Sequence, residues 1–291
     1  MVAHLVYQAQ VFIMRWPPFE HVFFDCDSTL TTIEGIDVLA DTEDKRRRVE
    51  ALTQAAMDGE VDLDEIYAER LQALKPTRRQ VFDLRNAYKR HMVEDADLVI
   101  GALHKLGHKV YIISGGLLEP VAEFGISLGV PRDRIRAVHI AYNELSGQWW
   151  EGPQTDDQLY LTYTAGALTV SDGKAQIVRE LMGDQRGRSL LIGDGMSDYH
   201  AAEAVDLFVG YGGVAARAKV REAAPAYLES QSLAPLLALA GGPGALRTLG
   251  TWTTEYQLLA SKVRHLLHQG AIIFNDEQLE SRFQKALLDP Q

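Results

Sequence analysis

Short apolar runs alternate with longer helical patterns along most of this chain. Apolar runs that read as strands fall at His21–Phe24, Lys109–Ile113, Ser189–Ile192 and Leu207–Val209, with a further one at Tyr227–Leu228. Between them, apolar positions recur at helical spacing near Asp95–Leu106, Leu117–Leu128, Lys174–Met182 and Asp198–Ala204. This alternation predicts an α/β fold, a Rossmann-like parallel sheet with helices on both faces. Ligands in such sheets bind at the carboxyl ends of the strands.

Three stretches break the alternation. Glu34–Met92 holds no convincing strand and is rich in charge and helix formers. It reads as a small helical insert of three or four helices, interrupted at Asp58-Gly59 and Pro76. Ala137–Thr164, with Asn143, Gly147 and the pair Trp149-Trp150, reads as a β-hairpin flap. The run Gly241-Gly242-Pro243-Gly244 marks a linker, and two amphipathic helices are expected beyond it. They would cover the core or make a subunit contact in a homo-oligomer. The expected division is thus residues 1–33 and 93–240 for the α/β core, 34–92 for the helical insert, and 241–291 for a helical extension.

Composition narrows the partners. The 291 residues are 46% hydrophobic and 24% charged, with a net charge of −11. A nucleic-acid platform needs a basic face, so none is expected. No apolar run approaches the roughly 20 residues of a membrane span. The first residues, MVAHLVYQAQVFIMRW, lack a basic n-region and do not read as a signal peptide. The single cysteine, Cys26, permits no internal disulfide and fits a reducing cytoplasm. Strand alternation turns Cys26 away from the two aspartates that flank it, so it is expected to be a packed small side chain.

The candidate chemistry lies just after the strands. HVFFDCDSTL leads an apolar run into Asp25 and Asp27; YIISGG delivers Ser114, Gly115 and Gly116. A helix opens on SDGK with Lys174, and LLIGDGMSD delivers Asp194 and Asp198. In a parallel sheet these ends converge. Gathered carboxylates repel one another unless a cation joins them, and hard oxygen donors suit Mg²⁺, which also bridges to phosphate oxygens. A small hydroxyl, glycine amides and a lysine suit the remaining oxygens of a phosphate. An aspartate can attack phosphorus, and a second carboxyl can protonate the leaving oxygen and then take a proton from water. The expected partner is a small-molecule phosphate ester.

These four motifs, in this order, resemble the haloacid dehalogenase superfamily of aspartate-nucleophile phosphatases. The resemblance implies that Asp25 is the nucleophile and Asp27 the general acid/base. It implies Mg²⁺ held by Asp25, the backbone carbonyl of Asp27, and Asp194. Ser114 and Lys174 would hold the phosphoryl group beside Gly115 and Gly116, and Asp198 would orient metal waters or Lys174. Within that superfamily, DCDSTLTTIEGID and AAMDGEVDLDEIYAERLQALKP resemble the phosphoserine phosphatase family. The insert then acts as a cap over the leaving group. Glu34 takes the position of the residue that contacts the substrate ammonium, Arg70 that of the carboxylate fork, and Met57 and Leu63 that of an apolar wall. Two positions depart from the family's pattern: Leu63 replaces a more familiar Phe, and Ser197 stands where Asn usually contacts the phosphate. The resemblance covers about residues 21–240. Two other functions use similar residues. One is hydrolysis of another small phosphorylated metabolite, or transfer to an alcohol such as homoserine. The other is a phospho-accepting receiver domain, whose sheet carries no helical insert after the first strand and has no need of Asp27.

Overall fold

The apolar runs pair into one sheet in a computed structural model that describes residues 16–57, 63–145, 150, 157–170 and 172–288. The strands are β1 (His21–Phe24), β2 (Lys109–Leu117), β3 (Ile135–Val138), β4 (Ile140–Tyr142), β5 (Tyr160–Tyr163), β6 (Ser189–Gly193), β7 (Leu207–Tyr211), β8 (Ala226–Leu228) and β9 (Ile272–Phe274). Seven of them form the main sheet, in the order β3-β2-β1-β6-β7-β8-β9, while β4 and β5 pair separately. All neighbours in the main sheet are parallel except β8 and β9. β1 lies between β2 and β6, with Phe24 level with Ile112 and Ile192. The carboxyl ends of these three strands therefore open at one height, which is where Asp25 leaves the sheet.

Alternation along each strand builds a core on both faces. Val22, Phe24, Val110, Ile112, Leu190 and Ile192 join one buried cluster, and Phe23, Tyr111, Ile113, Leu191 and Phe208 the other. Cys26 is fully buried in the first of these, as its alternation requires. Burial on both faces explains why these strands read as near-continuous apolar runs.

The stretch after β1 folds into helices at Gly35–Val38, Glu43–Met57, Leu63–Leu74 and Arg78–Arg90. The last is opened by a capping box: Thr77 Oγ1 accepts from Gln80 N at 3.2 Å, and Gln80 Oε1 accepts from Thr77 N at 2.8 Å. The insert has its own small apolar cluster, including Ile36, Leu39, Leu71, Leu74, Val81 and Leu84. The β4–β5 hairpin leans on it through two backbone hydrogen bonds, Tyr160 N to Pro76 O at 2.9 Å and Arg78 N to Gln158 O at 2.8 Å. The paired strands of the expected flap are thus present and attached to the insert, while Ala137 and Val138, expected within it, belong to β3 of the main sheet. Trp150 is exposed, and Trp149 lies outside the described residues.

The tail differs from a pair of helices after a linker. It contains helices Ala245–Leu249, Thr254–His268 and Glu277–Leu288, and between the last two β9 adds an antiparallel edge to β8. Tyr256, Leu259, Val263 and Phe283 bury into the same cluster as Phe24. Of the two uses expected of the tail, covering the core is the one its packing serves, and no observation supports the subunit contact. Among the described residues no helix is long and apolar enough to cross a membrane.

Candidate active site

Charged residues stay buried when they are paired, and the carboxyl end of the sheet shows the pairing. Asp25 follows β1, Asp194 follows β6, and Lys174 and Asp198 come from the first turns of helices Lys174–Met182 and Met196–His200; all four are buried. Lys174 Nζ donates to Asp25 Oδ1 at 2.7 Å and to Asp198 Oδ1 at 2.6 Å. The other oxygen of Asp198 accepts from Gly195 N at 3.1 Å. Carboxylate oxygens of Asp25, Asp194 and Asp198 lie within 4.8 Å of one another.

Ser114 lies within β2, which runs on through Gly115 and Gly116 to Leu117, further than the apolar run suggested. Gly116 N donates to the fully buried Ser114 Oγ at 2.9 Å. A Cβ on Gly116 would lie 3.1 Å from both Asp27 Oδ2 and Ser114 Oγ, so a side chain there would crowd both groups. Gly115 is half-buried beside them, and Ser197 is half-buried in the helix that carries Asp198.

The electrostatics follow from burial and crowding. The Asp25 carboxyl is held well above its ordinary range, first by burial and then by the charge of Asp198, against the pull of Lys174. Asp27 is pushed up to about 7 by burial and by the charge of Glu34, against the neighbouring Tyr88 phenol and the Gly35 backbone amide. Asp194 is pushed up to about 6 by burial and Asp198, against Arg217. Burial alone would lower the Lys174 ammonium; Asp198 and Asp25 outweigh it and raise it. The site carries more negative charge than its own cations offset. Buried hard oxygen donors in that state fit a divalent cation such as Mg²⁺.

The insert supplies the opposite wall. Ser28 takes a left-handed conformation (φ 56°), and its hydroxyl donates to Glu34 Oε1 at 2.8 Å. Arg70 pairs with Asp37 at 2.5 Å, one helical turn beyond Glu34, and its Nε is buried with no hydrogen-bond partner. Met57 ends one helix and Leu63 opens the next, but their side chains lie outside the described residues.

Three residues here had no sequence signal. Arg217 reaches in after β7, donating from Nε to Asp194 Oδ2 at 2.8 Å, with a terminal nitrogen 3.8 Å from Glu34. Tyr88, in the last turn of Arg78–Arg90, faces Asp27. The Tyr67 hydroxyl is buried without a partner on the helix that carries Arg70. An arginine at a helix entrance and tyrosines on apolar helix faces look like solvent and core residues in a single sequence.

A family model for haloacid dehalogenase-like hydrolases matches residues 19–206, more than half of the chain. The chain belongs to that family. Among its relatives, it is 30% identical to the phosphoserine phosphatase of Drosophila melanogaster, over 71% of this chain and 73% of that one. It is 28% identical to the phosphoserine phosphatase of Mus musculus, over 71% of this chain and 88% of that one. The fold is similar to that of a phosphoserine phosphohydrolase-like protein from Francisella tularensis (TM-score 0.63, 24% identity, 76% of this chain and 99% of that one). It is also similar to that of a phosphoserine phosphatase solved as a phospho-aspartyl intermediate analogue (TM-score 0.61, 22% identity, 76% and 98%). The chain is a hydrolase of this family, similar over most of its length to phosphoserine phosphatases.

Proposed function

We propose that this protein is a Mg²⁺-dependent phosphomonoesterase that hydrolyses O-phospho-L-serine through an aspartyl-phosphate on Asp25. The observation that carries the reading is the meeting of Asp25, Asp194, Asp198 and Lys174 at one strand end, with Asp27 and Ser114 converging beside them. Relatives that bear the name phosphoserine phosphatase support the choice of ester.

Asp25 attacks phosphorus while the serine oxygen leaves and takes the proton of Asp27. Asp27 then removes a proton from the water that splits the Asp25–phosphorus bond, so the proton borrowed in one half is returned in the other. Lys174 and Ser114 hold the phosphoryl oxygens through this exchange. The carboxylates of Asp25 and Asp194, with the backbone carbonyl of Asp27, would hold Mg²⁺, which supplies charge neutralisation at the phosphoryl group. Both oxygens of Asp198 already accept hydrogen bonds, so it serves by fixing Lys174. Residues 34–92 act as the cap. Glu34 receives the substrate ammonium and Arg70 its carboxylate, with Met57 and Leu63 as an apolar wall.

Initial rates on phosphoserine, other alkyl phosphates and an aryl phosphate, with and without Mg²⁺, test the reading. Phosphoserine should lead the panel and need the metal. Phosphoserine no faster than the aryl ester, or phosphate appearing on an added alcohol in place of water, would overturn it.

A further inference from the structure

Two buried oxygens at the junction of the insert and the sheet lack partners. One is Asp27 Oδ1; the other is the phenol oxygen of Tyr88, whose side chain is fully buried. Unpartnered buried polar atoms are costly and rare, so two of them side by side call for a reason. The phenol lies against the Asp27 carboxyl, yet neither of these oxygens completes a hydrogen bond of ordinary geometry. Nor is the phenol there by chance of packing. A Cβ on Gly35 would stand 2.0 Å from the Tyr88 hydroxyl, so the chain leaves out a side chain at residue 35 where the phenol passes. Gly35 directly follows Glu34, and Tyr88 lies in the last turn of the insert's last helix. The contact therefore joins both ends of the insert to the acid/base.

We propose that Tyr88 is a positioning residue for Asp27. It rests on the phosphatase reading above and adds to it a link between the insert and the proton transfer. When the insert settles on the sheet, the Tyr88 O–H donates to Oδ1 of Asp27. This fixes the rotation of the carboxyl so that its other oxygen, Oδ2, faces Ser114 and Gly116, where the phosphate ester sits. As the phosphorus–oxygen bond breaks and the Asp25–phosphorus bond forms, the Asp27 proton passes to the leaving oxygen. The carboxylate left behind keeps the phenol's hydrogen bond. Tyr88 touches neither substrate nor phosphorus.

Phosphorylation of Asp25 by an ester whose leaving group needs no proton should not feel the loss, whereas the water attack that follows uses Asp27 with every ester. Tyr88→Phe keeps the ring against Phe124, 5.7 Å away between centroids, and removes only the hydroxyl. With phosphoserine, the single-turnover rate of serine release should fall about 10- to 100-fold with half-saturation nearly unchanged. With p-nitrophenyl phosphate, whose phenolate leaves unaided, the single-turnover rate of phenolate release should stay within about 3-fold. Gly35→Ala, which displaces the phenol without removing it, should show the same selective loss and decides the matter if Tyr88→Phe does not fold. Equal losses on both esters in the two variants, or no loss on either, would overturn the proposal. Wild-type rates on the two esters judge the phosphoserine reading independently. Should that reading fail, any alkyl phosphate that the wild type turns over replaces phosphoserine in the ratio.

Discussion

The two walls of the site are built differently. On the sheet side, Asp25, Lys174, Asp194 and Asp198 are buried, and each is held by a short hydrogen bond to another site residue. On the insert side, Glu34 and Asp37 are more than a third exposed, and Arg70 spends its charge on Asp37. Buried, mutually bonded groups move together and resist substitution, whereas half-solvated pairs exchange partners at small cost. On the proposed reading, the sheet side would fix the reaction and the insert side would choose the ester. A fold that separates the two can change substrate without rebuilding its chemistry.

The sharpest way to break this division is Asp25→Asn. Turnover of every ester should fall by at least about 10³-fold while the melting temperature holds or rises, because a neutral amide relieves the repulsion around Asp198. Residual turnover within about 10-fold of wild type would remove Asp25 from the mechanism.

Metal removal comes next, and its pH dependence has a definite sign. Asp25, Asp27 and Asp194 all have raised carboxyls, so the folded protein holds protons that the unfolded chain releases. Stability falls with rising pH wherever the folded state binds more protons. With chelator present, the melting temperature should drop as pH rises from about 4 to about 7, and Mg²⁺ should restore it most at the upper end. Calorimetry at several pH values checks this; a Mg²⁺ effect that is largest at low pH would contradict it.

Arg70→Ala tests the insert side. KM for phosphoserine should rise about 10- to 100-fold, and kcat/KM for p-nitrophenyl phosphate should change by less than about 3-fold. Equal losses would place Arg70 in the fold and not in substrate choice. The smallest effect is expected for Asp37→Ala. It frees the arginine that the substrate carboxylate must otherwise win from Asp37, so KM for phosphoserine should fall by about 2- to 5-fold. A rise would mean that Asp37 orients Arg70 and does not compete for it.

The same contrast governs what can be read from the chain. Asp25, Lys174 and Asp194 were legible because each sits within a residue or two of a strand end or helix start, and Ser114 because it directly follows the apolar run of β2; the topology alone brings such positions together. Arg217 and Tyr88 were not, because they reach the site through tertiary packing of segments whose local patterns look ordinary. Asp37 reads as a solvated helix acid until the fold brings Arg70 to it. Among the strands, β3 was hidden by Arg136 in its middle, and β9 by its three-residue length and its half-buried pattern at the sheet's edge. Propensity is weakest where a strand is short and covered on one side only.

The central claim is that Asp25 carries the phosphoryl group. It is tested most directly by quenching the enzyme in acid during turnover of phosphoserine with Mg²⁺, reducing with borohydride, and locating the modified residue by mass spectrometry. The result expected is homoserine at residue 25, the product of reducing an acyl phosphate formed there within a single turnover, and its absence from Asp25→Asn. Full turnover with no trapped adduct, or an adduct on any other residue, would contradict it.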